Sequence, residues 1–97
     1  MAAQPDVLAI EDVLVNVLKK KDYVDDDVAT NGETPLTTLN LDTFLKISVL
    51  HDVDTVLRKR GHQITTPTQH RDQLFSGTQT IHDLAKSILA SLGPVEA

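Results

Sequence analysis

The sequence predicts an all-α fold: a small four-helix bundle of three main helices and one short helix, with a long loop between the first two. Apolar residues recur at helical spacing in three separate stretches, and a capping residue, Asp or Thr, precedes each stretch. The best strand candidate, residues 63–66, is short, polar at alternate positions and followed by Pro67, so no strand is predicted. With 97 residues, the chain is expected to form one domain, 1–97, with a core spanning about residues 7–92.

The first helix is predicted over residues 7–20. Asp6 stands before it as an N-cap, and Lys19, Lys20 and Lys21 fall in its last turn, where positive charge complements the helix dipole. Its apolar positions share one face: Val7, Ile10, Leu14, Val17 and Leu18.

Turn-forming residues fill nearly twenty positions, from Asp22 to Asn40. They include Asp25-Asp26-Asp27, Asn31-Gly32 and Thr34-Pro35. A loop of this length in a small domain is usually functional or held down by its own apolar side chains. The available anchors are Tyr23, Val24, Val28, Leu36, Leu39 and Leu41.

The second helix is predicted over about residues 43–60, with Asp42 at its start and Gly61 at its end. Its apolar face consists of Val49, Leu50, Val53, Val56 and Leu57. A short third helix is expected near residues 67–75, with Thr66 as N-cap, Pro67 as its first residue, and Leu74 and Phe75 turned inward.

The last helix has the clearest pattern. Thr80 is its predicted N-cap, and Gly93-Pro94 is expected to stop it. One face carries Ile81, Leu84, Ala85, Ile88, Leu89 and Leu92.

Composition excludes several classes of protein. The net charge is −5, with −6 on residues 1–45 and +1 on residues 46–97, which argues against nucleic-acid binding. Only three aromatic residues are present, too few for a base-stacking platform, and there is no cysteine for a disulfide or a thiolate site. Apolar runs are too short to span a membrane, so a soluble protein without membrane contacts is expected. The cytoplasm is the default expectation, because the N-terminus lacks the basic and apolar regions of a secretory signal.

Familiar catalytic and metal-binding patterns are not supported. A calcium loop starting at Asp27 fails at its third position, Ala29, and at its twelfth, Thr38. The four histidines, His51, His62, His70 and His82, lack the spacing of a helical metal pair, so no metal site is expected. Ser48, His51 and Asp52 or Asp54 would lie along one helix without an oxyanion hole, and the run 58–60 is typical of a solvated helix end.

The segment Leu39-Asn40-Leu41-Asp42-Thr43-Phe44 is the strongest functional candidate. It places a hydroxyl in the first turn of a helix, directly after an acid and at the end of a long loop. A threonine near a helix N-terminus is common and needs no function. A phosphodiester on that hydroxyl would also be favoured there, because unpaired amides and the helix dipole stabilise negative charge.

In these features the chain resembles the acyl carrier protein family, which includes the peptidyl carrier domains. That family has an apolar helix, a long loop, a Leu-Gly-x-Asp-Ser-Leu segment that opens helix two, a short third helix and a final helix that begins with Thr-Val-x-Asp-Leu. The stretch from Ile10-Glu11 through Asp42-Thr43-Phe44 is similar to the first half, and Thr80-Ile81-His82-Asp83-Leu84 is similar to the final helix start. The resemblance covers about residues 7–90.

The resemblance implies a non-catalytic domain that carries 4'-phosphopantetheine. Thr43 takes the attachment position and Asp42 the acid before it. The arm's thiol would hold acyl or aminoacyl intermediates of fatty-acid, polyketide or nonribosomal-peptide type biosynthesis, so the lack of cysteine is no obstacle. The implied partners are a phosphopantetheinyl transferase and acyl- or aminoacyl-processing enzymes that dock on helix two, where Phe44, Lys46, Ile47 and His51 are the expected contact residues. The domain is expected to be monomeric.

The chain also departs from the family pattern. Thr43 replaces serine and adds a β-methyl group beside the attacking oxygen. Asn40 replaces the usual glycine, Phe44 the usual leucine, and the distance from Thr43 to Gly61 implies roughly one extra turn on helix two. That helix is also less acidic than a typical carrier's, because it carries Lys46, Ser48, His51, Arg58, Lys59 and Arg60.

These departures leave an alternative: an unmodified pseudo-carrier that acts as a protein-protein interaction or regulatory module. A free-standing enzyme is less well supported, because no convergent set of catalytic groups can be inferred. A helical DNA-binding protein is disfavoured by the acidic total.

Overall fold

The computed structural model describes residues 6–21, 23–24, 30–39 and 41–94, and most of these residues are helical. The helices are α1 (Val7–Lys20), α2 (Thr43–Arg58) and α3 (Ile81–Ala90), and two 3-10 helices span Leu36–Leu39 and Thr68–Phe75. Two short strands, β1 (His62–Ile64) and β2 (Leu92–Pro94), pair antiparallel. The prediction of a mostly helical protein is confirmed, whereas the prediction that strands are absent is wrong. Among the described residues, no helix has both the length and the apolar character needed to cross a membrane.

Each α-helix begins at the side chain that the sequence predicts as its cap. Asp6 Oδ1 accepts the backbone N–H of Ala9 at 2.9 Å, and α1 ends at Lys20 as predicted. Thr80 and Asp83 form a reciprocal capping box at the start of α3. Hydrogen bonds from backbone amides, first that of Gln79, hold the pKa of Asp83 below its usual value.

The core is aliphatic, and α1 packs mainly against α3 and α2. The predicted inward faces of the three helices are confirmed at most positions, although Val7, Val56, Leu89 and Leu92 are only partly buried. The largest side chains with almost no exposure are Ile10, Leu14, Leu18, Leu50, Leu57, Ile81, Leu84 and Ile88. Because the chain has only three aromatic residues, burial of branched aliphatic side chains is expected to be the main source of its folding stability.

The two strands form where the sequence predicts a loop and a helix end. The helix α2 stops at Arg58, two residues earlier than predicted, and Gly61 adopts a φ of 88° in the turn into β1. Likewise α3 stops at Ala90, so Gly93-Pro94 lies in β2 and does not terminate a helix. Ile64 pairs with Leu92, and its side chain is buried in the core.

The predicted third helix is a 3-10 helix. Pro67 occupies the N-cap position of Thr68–Phe75 and makes no side-chain cap, so the expected roles of Thr66 and Pro67 are each wrong by one residue. Phe75 is buried as predicted, whereas Leu74 is only partly covered.

The described part of the long connection is tied to the start of α3. Leu36 N donates to Gln79 O, Ile81 N to Thr34 O, and His82 N to Gly32 O, at 2.8–3.1 Å. The anchors that lie in described residues contact the core: Tyr23, Val24, Leu36, Leu39 and Leu41. Val28, the acidic run 25–27, Ala29 and Asn40 lie outside the described residues.

Candidate functional site

The predicted attachment residue lies at the start of a helix. Thr43 is the first residue of α2 and is exposed. Asp42 precedes it in an extended conformation, with φ −83° and ψ 177°. The hydroxyl-bearing residue is thus placed on the surface by a regular N-cap, which requires no strained backbone.

Asp42 already accepts hydrogen bonds from backbone amides at the start of α2. Its Oδ1 accepts the backbone N–H of Leu45 at 2.8 Å, and its carbonyl oxygen accepts that of Lys46 at 2.9 Å. Of the amides in the first turn of α2, that of Leu45 is therefore already occupied by the Asp42 side chain. An anion attached to Thr43 would gain from the helix dipole but would stand next to the Asp42 carboxylate.

The four predicted partner-binding residues differ in exposure. Phe44 is 74% exposed, and His51 is also exposed. Lys46 and Ile47 are partly buried. Lys46 Nζ lies 5.4 Å from the centroid of the Phe75 ring, a distance suited to a cation–π contact.

A groove opens close to the start of α2. It has a volume of about 330 Å³ and combines an apolar wall with one cation and two hydroxyls. Its lining residues are Leu36, Thr37, Leu41, Lys46, Phe75 and Thr78. Because Leu41 and Lys46 flank Thr43 in sequence, a chain attached at Thr43 could reach this groove.

A buried ionic centre was missed by sequence analysis. Asp54 is 4% exposed and Arg71 is 5% exposed, and Asp54 Oδ2 lies 3.6 Å from Arg71 Nη2 and 2.7 Å from Arg58 Nε. Asp54 Oδ1 accepts the Ile64 amide, and Arg71 Nε donates to the carbonyl of Thr66. The i, i+4 spacing of Asp54 and Arg58 was the only available indication. This centre joins α2, β1 and the second 3-10 helix, so its role is structural.

A second pair was also missed. Glu11 of α1 is 9% exposed, and its Oε2 lies 3.3 Å from Nδ1 of His82, the second residue of α3. Gly32 packs against the same carboxylate so closely that a Cβ at this position would collide with Glu11 Oε1. In the sequence, Glu11 lies among the apolar positions of α1, and this placement was the one sequence signal that it is buried.

Asp52 and Asp54, the acids considered for a catalytic triad with Ser48 and His51, are engaged in other contacts. Asp52 Oδ2 accepts a 2.8 Å hydrogen bond from the Tyr23 hydroxyl, and Asp54 belongs to the ionic centre. Burial of Tyr23, together with its bond to Asp52, raises the pKa of Tyr23 to about 12. Across the part of the chain that the structure describes, no group of three or more His, Cys, Asp or Glu side chains could hold a metal ion.

Comparison with known proteins finds no matching family model, no matching curated protein and no matching solved structure.

Proposed function

We propose that this chain is an acyl-carrier-like helical bundle that presents acyl or peptidyl intermediates through a phosphopantetheine arm on Thr43. The observation that carries the proposal is the placement of Thr43: exposed, first in α2, and directly after the capping Asp42. A nucleophile that must enter another enzyme's active site has to stand on the surface of a rigid element, and the start of a capped helix meets this need.

The surroundings of Thr43 are compatible with the arm. The helix dipole favours a phosphodiester at this end of α2, whereas the Asp42 carboxylate opposes it. The groove beside Leu41 and Phe75 offers apolar surface to a flexible chain. When bound, the arm would supply the thiol on which intermediates are carried; the residues of this chain anchor and orient it.

Partner docking is proposed at the same end of α2. Phe44 is a large apolar side chain at 74% exposure, next to the attachment residue, and such an exposed aromatic is an effective contact for a partner surface. The partners proposed are a phosphopantetheinyl transferase and acyl- or aminoacyl-processing enzymes of the cytoplasm. The domain would catalyse no reaction itself.

An unmodified pseudo-carrier is the second candidate. It is favoured by the Thr43 β-methyl group, which restricts χ1 of the nucleophile. In that case the exposed Phe44 and the α2 surface would serve binding alone.

Intact-mass analysis after incubation with coenzyme A and several phosphopantetheinyl transferases tests the two candidates. The carrier proposal expects the mass of one arm on the wild-type chain and none on Thr43→Val, which keeps the shape but lacks the hydroxyl. Addition only to Thr43→Ser would favour the pseudo-carrier. Failure of every transferase to modify either the wild type or Thr43→Ser would contradict the carrier proposal.

A further inference from the structure

Four exposed cations line one groove between the C-terminal ends of α1 and α2. They are Lys20, Lys21, Lys59 and Arg60. The two basic runs are far apart in sequence and come together because α1 packs against α2. Within residues 6–21, 23–24, 30–39 and 41–94, none of the four forms an ion pair.

The groove also has an apolar floor. Its volume is about 300 Å³, and Val13, Val17 and Val56 contribute to its lining. Among the described lining residues the one acid is Asp52, which accepts a hydrogen bond from the Tyr23 hydroxyl. The groove is therefore a positive, partly apolar concavity on a protein whose net charge is −5.

Helix dipoles do not account for this arrangement. A cation near a helix C-terminus is stabilised by the dipole, but the effect falls off within the last turn and is screened by salt. It explains why Lys or Arg occurs at each helix end. It does not explain a shared concavity whose apolar floor lies between the two sets of cations.

We propose that this groove binds an acidic segment of a partner protein, with carboxylates paired to the rim cations and an apolar side chain placed on the valine floor. Charge complementarity selects the carboxylates, and the floor selects a segment that also carries an aliphatic side chain. A nucleic acid fits less well, because none of the described lining residues is an aromatic that could stack on a base, and the acidic total repels an extended polyanion. An anionic bilayer is flat and matches a concave site poorly.

This groove lies at the opposite end of α2 from Thr43, so the inference does not depend on modification of Thr43.

Fluorescence anisotropy with a labelled peptide of repeated Glu-Glu-Leu triplets tests the inference at low ionic strength. We expect saturable binding that weakens as salt is added. Lys20→Glu and Lys59→Glu should each weaken it about five- to tenfold, since each removes one attraction and adds one repulsion. Lys86→Glu is the matched control, because it makes the same charge change on an exposed residue of α3 outside the groove.

The valine floor is tested separately. A Glu-Glu-Ser peptide should bind several-fold more weakly than the Glu-Glu-Leu peptide, and Val56→Thr should reduce this difference while preserving volume. Thermal melts establish that each variant is folded.

Three results would overturn the inference. The first is equal loss of binding in Lys86→Glu and Lys59→Glu, which would indicate only non-specific attraction. The second is preferential binding of duplex DNA or of phosphatidylserine vesicles over the peptide. The third is the absence of peptide binding together with self-association that Lys59→Glu abolishes, which would assign the groove to a second copy of the chain.

Discussion

Asp54 Oδ1 accepts a 2.8 Å hydrogen bond from the backbone amide of Ile64, ten residues further along the chain. The other oxygen of the same carboxylate faces Arg58 and Arg71. One buried side chain of α2 therefore holds the first strand by its backbone and the second 3-10 helix by its charge. Because this contact positions β1, it also positions β2 after α3.

Removal of the Asp54 carboxylate should strongly destabilise the fold. Asp54→Ala leaves the guanidinium of Arg71, a residue that is 5% exposed, without its counter-charge, and such a change typically costs about 3–5 kcal/mol. The measurement is the free energy of unfolding in urea. Arg58→Ala is the control: the Arg58 side chain is 51% exposed, so its loss should cost less than about 1 kcal/mol. Equal costs for the two variants would show that Arg71 is not held by Asp54.

A steric coupling is expected between Gly32 and Glu11. In Gly32→Ala the new methyl group must displace the Glu11 carboxylate, which is the end of a flexible side chain, so the cost should lie at the low end of overpacking, about 1 kcal/mol. In a Glu11→Ala background the same glycine change should be nearly neutral. A double-mutant cycle of unfolding free energies measures this coupling.

Gly77→Ala is the control for the double-mutant cycle of Gly32 and Glu11. Gly77 has a φ of 75°, and a Cβ at this position would meet no atom within 4 Å, so Gly77→Ala should cost about 1–2 kcal/mol through backbone strain alone. That cost should be unchanged by Glu11→Ala. If instead the Gly32→Ala cost persists without the Glu11 side chain, the contact with the carboxylate is not its cause.

Sequence patterns were sufficient to predict those features, such as helix starts, that depend on residues close together in the chain. The periodicity of α1 and α3 and the caps Asp6, Asp42 and Thr80 gave the helix starts, because the capping side chain and the helix it caps are neighbours in sequence. The exposed position of Thr43 followed from the same rule.

The strands and the buried polar pairs depend on long-range contacts instead. Nothing local in His62–Ile64 shows that Leu92–Pro94 will pair with it, and neither segment has the length of a typical strand. Arg71 is buried because Asp54 is present, and Glu11 because Gly32 and His82 pack over it. The basic groove likewise exists only once α1 and α2 are packed together.

The ionisation of Tyr23 should make stability depend on pH at high pH. Burial and the hydrogen bond to Asp52 raise its pKa from 10.0 to about 12, so the folded state holds the phenolic proton more tightly than the unfolded state does. The resulting stabilisation is fully present below pH 10 and is lost as the pH rises through about 12.

Tyr23 is the only tyrosine and the chain has no tryptophan, so ultraviolet absorbance of the phenolate reports this residue alone. We expect a titration midpoint near 12 in the wild type and a lower one in Asp52→Asn. Stability should fall less between pH 10 and 12 in Tyr23→Phe than in the wild type. A wild-type midpoint at the ordinary value of 10 would contradict the burial and the bond to Asp52.

The α3 face that packs on α1 should contribute a large part of the stability. Leu84 is 2% exposed and Ile88 is fully buried, so truncation of either side chain to alanine leaves a cavity and should cost about 2–5 kcal/mol. Lys86→Ala, between them on the exposed face, should change stability by less than about 0.5 kcal/mol and preserves helix propensity. Urea unfolding of the three variants measures these costs. Wild-type stability in both Leu84→Ala and Ile88→Ala would mean that α3 does not pack on α1 through this face, which would contradict the burial of both side chains.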